Sequence, residues 1–290
     1  GTIPFAMAVP MIMGANIGTT VTSTLAALGS IRRAEEFRKA FAAATMHDFF
    51  NLISVSILLP VELLTGVLSR GALALTEIFR GTEFNYATPP SSPIRSAVKF
   101  PVGLVEGLLP ETPAVGILFL VLALGLLFTA LAMITRNMRR LVAGSVERAM
   151  NRIIGTGGGA IGIMVGVAVT VAVQSSSITT SILVPLVGSG VLTLSSAYPI
   201  TLGANIGTTI TALIASLAVA RPEGLAIAFV HLLFNIAGTL LLYPVPAVRV
   251  IPLKLATWLS GLASRKHRVV VIWLLTGFII LPLMGVFLFQ

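Results

Sequence analysis

The heptapeptide Gly-Ala-Asn-Ile-Gly-Thr-Thr occurs twice, at Gly14–Thr20 and Gly203–Thr209, each time inside an apolar run of membrane length. Glycine and asparagine in such a run favour unwinding, so each copy predicts a discontinuous transmembrane helix. Paired interruptions in corresponding positions of two halves point to internal repeats with a binding site between them. The correspondence extends beyond the heptapeptide. The same offset aligns Gly1 with Gly190, Ala8 with Ala197, Pro10 with Pro199 and Thr22 with Thr211. Further on, His47-Asp48-Phe49-Phe50-Asn51 answers to His231-Leu232-Leu233-Phe234-Asn235.

With 56% hydrophobic and 10% charged residues and a mean hydropathy of +1.00, the chain carries more apolar surface than a soluble globule of 290 residues can bury. Spans of roughly 20 residues suit a bilayer. The net charge of +9 reflects topology rather than nucleic-acid binding. Three clusters, Arg32 to Lys39, Arg136 to Arg152 and Arg249 to Arg268, hold 14 of the 19 lysines and arginines, and such clusters mark cytoplasmic loops. Placing them inside sends the first interrupted helix inward and the second outward, so the repeats are expected to be inverted. There is no cysteine, and hence neither a disulfide nor a thiolate nucleophile. No paired carboxylates and no nucleophile with an evident base are present, so an enzyme is not expected.

The chain therefore reads as an all-α membrane protein of two inverted-topology repeats with a re-entrant hairpin and discontinuous transmembrane helices. Residues 1–65 form the first repeat, incomplete because its own hairpin would fall before Gly1. Residues 66–113 are an extracellular linker with an amphipathic segment. Residues 114–290 are the second repeat, with spans at Ala114 to Thr135 and Val269 to Phe289, a hairpin over 153–191 and a broken helix over 194–220. The hairpin follows from the tract Gln174-Ser175-Ser176-Ser177 between apolar arms, the second too short to span. Its non-helical tip is tolerated at membrane depth only against protein or a wet cavity.

An interrupted helix exposes amide donors at one half-helix and carbonyl acceptors at the other, so one element can hold ions of either sign. Asn16, Thr19, Thr22, Asn205, Thr208 and Thr211 supply oxygens suited to a hard cation such as sodium. Gln174, Ser175, Ser176 and Ser177 can donate to a small oxyanion and still turn oxygens to a cation. Asn16 and Asn205 are assigned to both ions. Asp48, an acid within an apolar segment, is a cation-ligand candidate. Asn51 and Asn235 join the sodium set, whereas His47 and His231 read as histidines bonded between helices.

In these motifs the chain resembles the type II sodium-dependent phosphate cotransporter family. The runs Glu36 to Phe41, Thr45 to Asn51, Leu59 to Glu62, Val173 to Ser177 and Ala197 through Thr209 carry the likeness. The resemblance implies symport of inorganic phosphate with sodium by alternating access, with phosphate between two Gln-Ser-Ser-Ser tracts. Sodium would be bound by Gln174 to Ser177, Thr208, Thr211, Asn16, Thr19 and Asn51, with no other cofactor. It also implies electrogenic transport, from the aspartate at position 48, and a homodimer. Animal members carry an acid where Arg33 falls and a large cysteine-bearing loop where this linker is short, so a bacterial inner membrane is expected. A channel for anions, or a symporter for another small oxyanion or a carboxylate, is the alternative.

Overall fold

The computed structural model describes residues 4–81, 159–219 and 222–280, with residue 283 and isolated positions between 112 and 129. Every regular element among the described residues is a helix. The expected span from Ala114 to Thr135 and the basic segment Arg136 to Arg152 lie wholly or largely outside the described residues, as does most of the linker. Among the described residues four stretches are long and apolar enough to cross a membrane: Phe5–Leu28, Ala34–Thr65, Leu194–Leu217 and Pro222–Leu242.

The first of these consists of α1 (Phe5–Gly18) and α2 (Val21–Leu28). The interruption falls at Thr19 and Thr20, just past the expected glycines, and it is a slip rather than an unwinding. Both threonines keep right-handed helical dihedrals. The Thr20 amide bonds the Ile17 carbonyl instead of that of Asn16, and the Thr19 and Thr20 hydroxyls donate to the Asn16 and Ile17 carbonyls, each at 2.8 Å. Threonine hydroxyls that compete for ladder carbonyls loosen a helix locally. The Asn16 carbonyl, which accepts from the Thr19 hydroxyl in place of the Thr20 amide, thereby keeps a lone pair for a tertiary partner.

Helix α3 (Ala34–Thr65) is the longest element, about 48 Å at 1.5 Å per residue. Glu35 and Glu36 in its first turn suit the helix dipole and pair with Arg38 and Arg33. Ala40, Ala42, Ala43 and Ala44 are all buried, and these small side chains let neighbouring helices approach. The helix ends at Gly66, which takes the left-handed conformation at φ 63°. Beyond it α4 (Val67–Gly81), which falls within the stretch expected as a linker, packs against α8 (Pro222–Leu242). The buried Glu62 carboxylate receives the amides of Leu68 and Ser69 at 2.7 and 3.1 Å, satisfying donors at the start of α4.

Helices α5 (Gly159–Val173) and α6 (Ser176–Gly188) are joined by a tight turn at Gln174 and Ser175. Helix α6 is about 20 Å long, short of the roughly 30 Å hydrocarbon core. Thr170 and Thr179 bond across the turn at 2.9 Å.

Helix α7 (Leu194–Val219) corrects an expectation. The second heptapeptide does not break it; the helix is continuous over 26 residues. The cause is packing on α5. A Cβ on Gly203 would lie 2.0 Å from the Ile163 carbonyl oxygen, and one on Gly166 would lie 2.1 Å from that of Ile200. Gly162 and Gly207 are similarly crowded, by Pro199 and Thr170. Two small-xxx-small faces, Gly162 with Gly166 and Gly203 with Gly207, thus bring the backbones of α5 and α7 together. The glycines that predicted a break serve as a packing surface here.

Helices α9 (Pro246–Arg265) and α10 (Arg268–Leu275) come next among the described residues, followed by a π-helical turn at Thr276–Ile280. That segment is the described part of the span expected from Val269 to Phe289. One hydrophobic cluster gathers Phe37, Phe41, Phe50, Leu183, Tyr198 and Leu202, and a second gathers Val9, Met13, Leu68, Leu225, Phe229 and Phe234.

Candidate functional site

The two heptapeptide asparagines meet the two His-Asn motifs in a buried polar network. Asn16, His47, Asn51, Asn205 and Asn235 are each at most 3% exposed. His47 Nε2 donates to Asn205 Oδ1 at 2.7 Å, and His231 Nε2 donates to Asn16 Oδ1 at 3.2 Å. Each histidine thus holds the asparagine of the other copy. Within each copy a second bond repeats, because Asn51 Nδ2 donates to the Asn16 carbonyl at 2.7 Å and Asn235 Nδ2 to the Asn205 carbonyl at 3.2 Å. One bond has no counterpart: Asn205 Nδ2 donates to Asn51 Oδ1 at 2.9 Å, whereas Asn16 Nδ2 reaches back to its own helix, to the Ile12 carbonyl at 3.4 Å. Asn235 Oδ1 and His47 Nδ1 are buried without partners. An unpaired buried polar atom is costly, by about 1–3 kcal/mol, and invites a ligand or a second conformation.

A second polar cluster lies where α2, α3 and α6 pack together. Asp48 is 1% exposed; its Oδ2 accepts from the Trp273 indole at 2.8 Å and Thr20 lies beside it, while Oδ1 has no partner. Ser23 on α2 bonds Thr180 on α6 at 2.8 Å, and the neighbouring Thr24 hydroxyl is buried and unpaired. This region is rich in neutral oxygens around one carboxylate, a donor set that suits a small hard cation. No group of three or more His, Cys, Asp and Glu side chains that could hold a transition metal occurs among the described residues.

The serine tract begins α6. Gln174 has φ 56°, a left-handed conformation that costs a non-glycine residue roughly 1–2 kcal/mol. Ser175 caps α6, its hydroxyl accepting from the Ile178 amide at 3.4 Å. Gln174 is exposed, Ser175 and Ser177 are half-buried, and Ser176 is buried. A helix start carries unpaired backbone amides and the positive end of the helix dipole, which favour an anion.

The remaining sequence-derived candidates fall elsewhere. Thr19 and Thr22 are exposed, and their hydroxyls bond carbonyls of their own segment; Thr208 and Thr211 are half-buried and do the same. Two groups escaped sequence reasoning. Trp273 lies 225 residues from Asp48 and belongs to no repeated motif, so nothing in the sequence joined them. Thr20, Ser23, Thr24 and Thr180 are hydroxyl residues of an ordinary kind, although Thr20 stands inside the heptapeptide. A separate cavity of about 310 Å³ opens among Arg38, Lys39, Thr193 and Thr257, and none of the candidate residues lines it.

The family described as Na+/Pi-cotransporter matches residues 115–280. The chain is similar to the sodium-dependent phosphate transport protein 2A of Ovis aries, 34% identical over 98% of this chain and 55% of that protein. It is also similar to the sodium-dependent phosphate transport proteins 2B of Bos taurus, at 31% over 97% and 53%, and of Homo sapiens, at 32% over 95% and 52%. The chain thus spans about half the length of these curated relatives. No solved structure matches it.

Proposed function

We propose that this chain, which belongs to the Na+/Pi-cotransporter family, carries inorganic phosphate across a membrane together with sodium by alternating access. The observation that carries the reading is the crosswise polar network, in which buried asparagines and histidines of two sequence copies are bonded to one another within otherwise apolar helices. A lipid-facing helix has no use for such a network, whereas two repeats that move against each other around a fixed site need polar contacts between them.

In this reading α5 and α6 enter the membrane and turn back, and the two copies are inverted relative to each other. The serine tip holds phosphate through neutral donors. Hydroxyls and amides grip an oxyanion less tightly than a bidentate guanidinium does, which favours release. Sodium sits against Asp48 Oδ1 and the hydroxyls of α2, where the carboxylate gains the partner it lacks. A carboxylate that recruits one sodium more than the phosphate charge requires leaves a net positive charge moved per cycle, so transport is electrogenic. The relatives' names report sodium dependence and phosphate as cargo, in keeping with both halves of the proposal.

Phosphate accumulation in vesicles containing the purified protein tests this reading. An inward sodium gradient should drive uptake above the equilibrium level, and replacing sodium with potassium should reduce the initial rate at least tenfold. Uptake that merely equilibrates phosphate would identify an anion channel. Accumulation of sulfate or a carboxylate in preference to phosphate would move the assignment to another anion.

A further inference from the structure

The bond from Asn205 to Asn51 has no equivalent in the other copy, and from that asymmetry we propose that the pair Asn51 and Asn235 is a hydrogen-bond switch that sets which side of the membrane the carrier faces. The inference rests on the alternating-access reading above. By the sequence repeat, Asn16 corresponds to Asn205 and Asn51 to Asn235. Four of the network's bonds come in matched pairs under that exchange. The fifth, Asn205 Nδ2 to Asn51 Oδ1 at 2.9 Å, should be matched by a bond from Asn16 Nδ2 to Asn235 Oδ1.

Both groups needed for that missing bond are present and underused. Asn235 Oδ1 is buried with no partner, and Asn16 Nδ2 is spent on a long 3.4 Å contact to its own helix. A carrier built of two like copies reaches its second state when the copies exchange conformations. The exchange forms the Asn16–Asn235 bond and opens the Asn205–Asn51 bond. The number of hydrogen bonds is conserved, so neither state leaves more than one of these oxygens unpaired. Near-equal energies are what a carrier needs to populate both sides. The matched bonds persist throughout and act as the hinge.

Asn51→Ala removes the switch bond of the state seen here, and Asn235→Ala removes that of the other state. Each also deletes one matched bond to a heptapeptide carbonyl, so the two variants lose equal numbers of contacts and differ only in which state they disfavour. A net hydrogen bond of about 1 kcal/mol corresponds to about a fivefold change in population. The apparent affinity at each face scales with the fraction of carrier facing it.

The test measures KM for inorganic phosphate separately at the two faces, by zero-trans influx and efflux in sodium-containing vesicles of uniform orientation. Asn51→Ala should raise KM severalfold at one face and lower it at the other. Asn235→Ala should do the reverse, and the double variant should return both values toward wild type. Loss of a mere sodium ligand would raise KM at both faces in both variants, and that result overturns the proposal, as does no shift in either. If an alanine variant does not fold, the serine variants give the same comparison of signs. Wild-type vesicles that fail to carry phosphate would instead defeat the transport reading itself.

Discussion

Replacing Gly203 with alanine should abolish transport, and the cause should be structural. The added methyl would lie 2.0 Å from the Ile163 carbonyl oxygen and 2.9 Å from the Val167 amide nitrogen. Both are backbone atoms, so no side chain can swing away; α5 and α7 must separate. Overpacking that displaces packed helices costs about 1–3 kcal/mol. Here separation also loosens the glycine face shared with Gly166, where the same close approach recurs from the other side. Since Asn205 lies two residues beyond Gly203, a shift of α7 drags it from His47 and Asn51. The expected result is a fall of several degrees in Tm in detergent together with transport at background. Gly261→Ala, where a methyl meets nothing within 4 Å, should change neither. Normal stability and uptake in Gly203→Ala would mean that α5 and α7 do not pack as described.

Asp48→Asn should separate stability from function in the opposite direction. The substitution keeps the shape and leaves an amide oxygen to accept from Trp273, but removes a charge whose Oδ1 has no partner. An unpaired buried charge is a heavy load on a fold, so the variant should melt no lower than wild type in potassium. Wild type should gain stability when sodium is added, by mass action on the folded state, and the variant should lose most of that gain. In vesicles the current accompanying phosphate uptake should fall at least tenfold while phosphate itself is still bound. A variant whose sodium-dependent stabilisation and current match wild type would remove Asp48 from the sodium site.

Repetition decided what could be read from the sequence. Asn16 and Asn205, and His47 and Asn51 with their counterparts His231 and Asn235, stand out because each occurs twice in order, and the structure gathers all six into one network. The histidines bond between helices, as their burial in apolar segments suggested. What repetition could not give was the difference between the copies. The same seven residues slip at Thr19 and Thr20 in the first copy and run as unbroken helix in the second, so local propensity cannot be the deciding force. The close face of α5 is, and its Gly162 and Gly166 spacing was a legible signal of helix contact. Trp273 was not legible in that way. An indole that satisfies a carboxylate from a distant helix leaves no periodic trace, and only the assembled fold reveals it.

The coupling of the two ions is the central claim, and direct binding of inorganic phosphate to the purified protein, measured by calorimetry in sodium and again in potassium, tests it most simply. The account predicts saturable binding in sodium that weakens at least tenfold in potassium, and a comparable weakening in sodium when Ser176 becomes alanine. Phosphate that binds equally well in both salts, and equally well to Ser176→Ala, would contradict it.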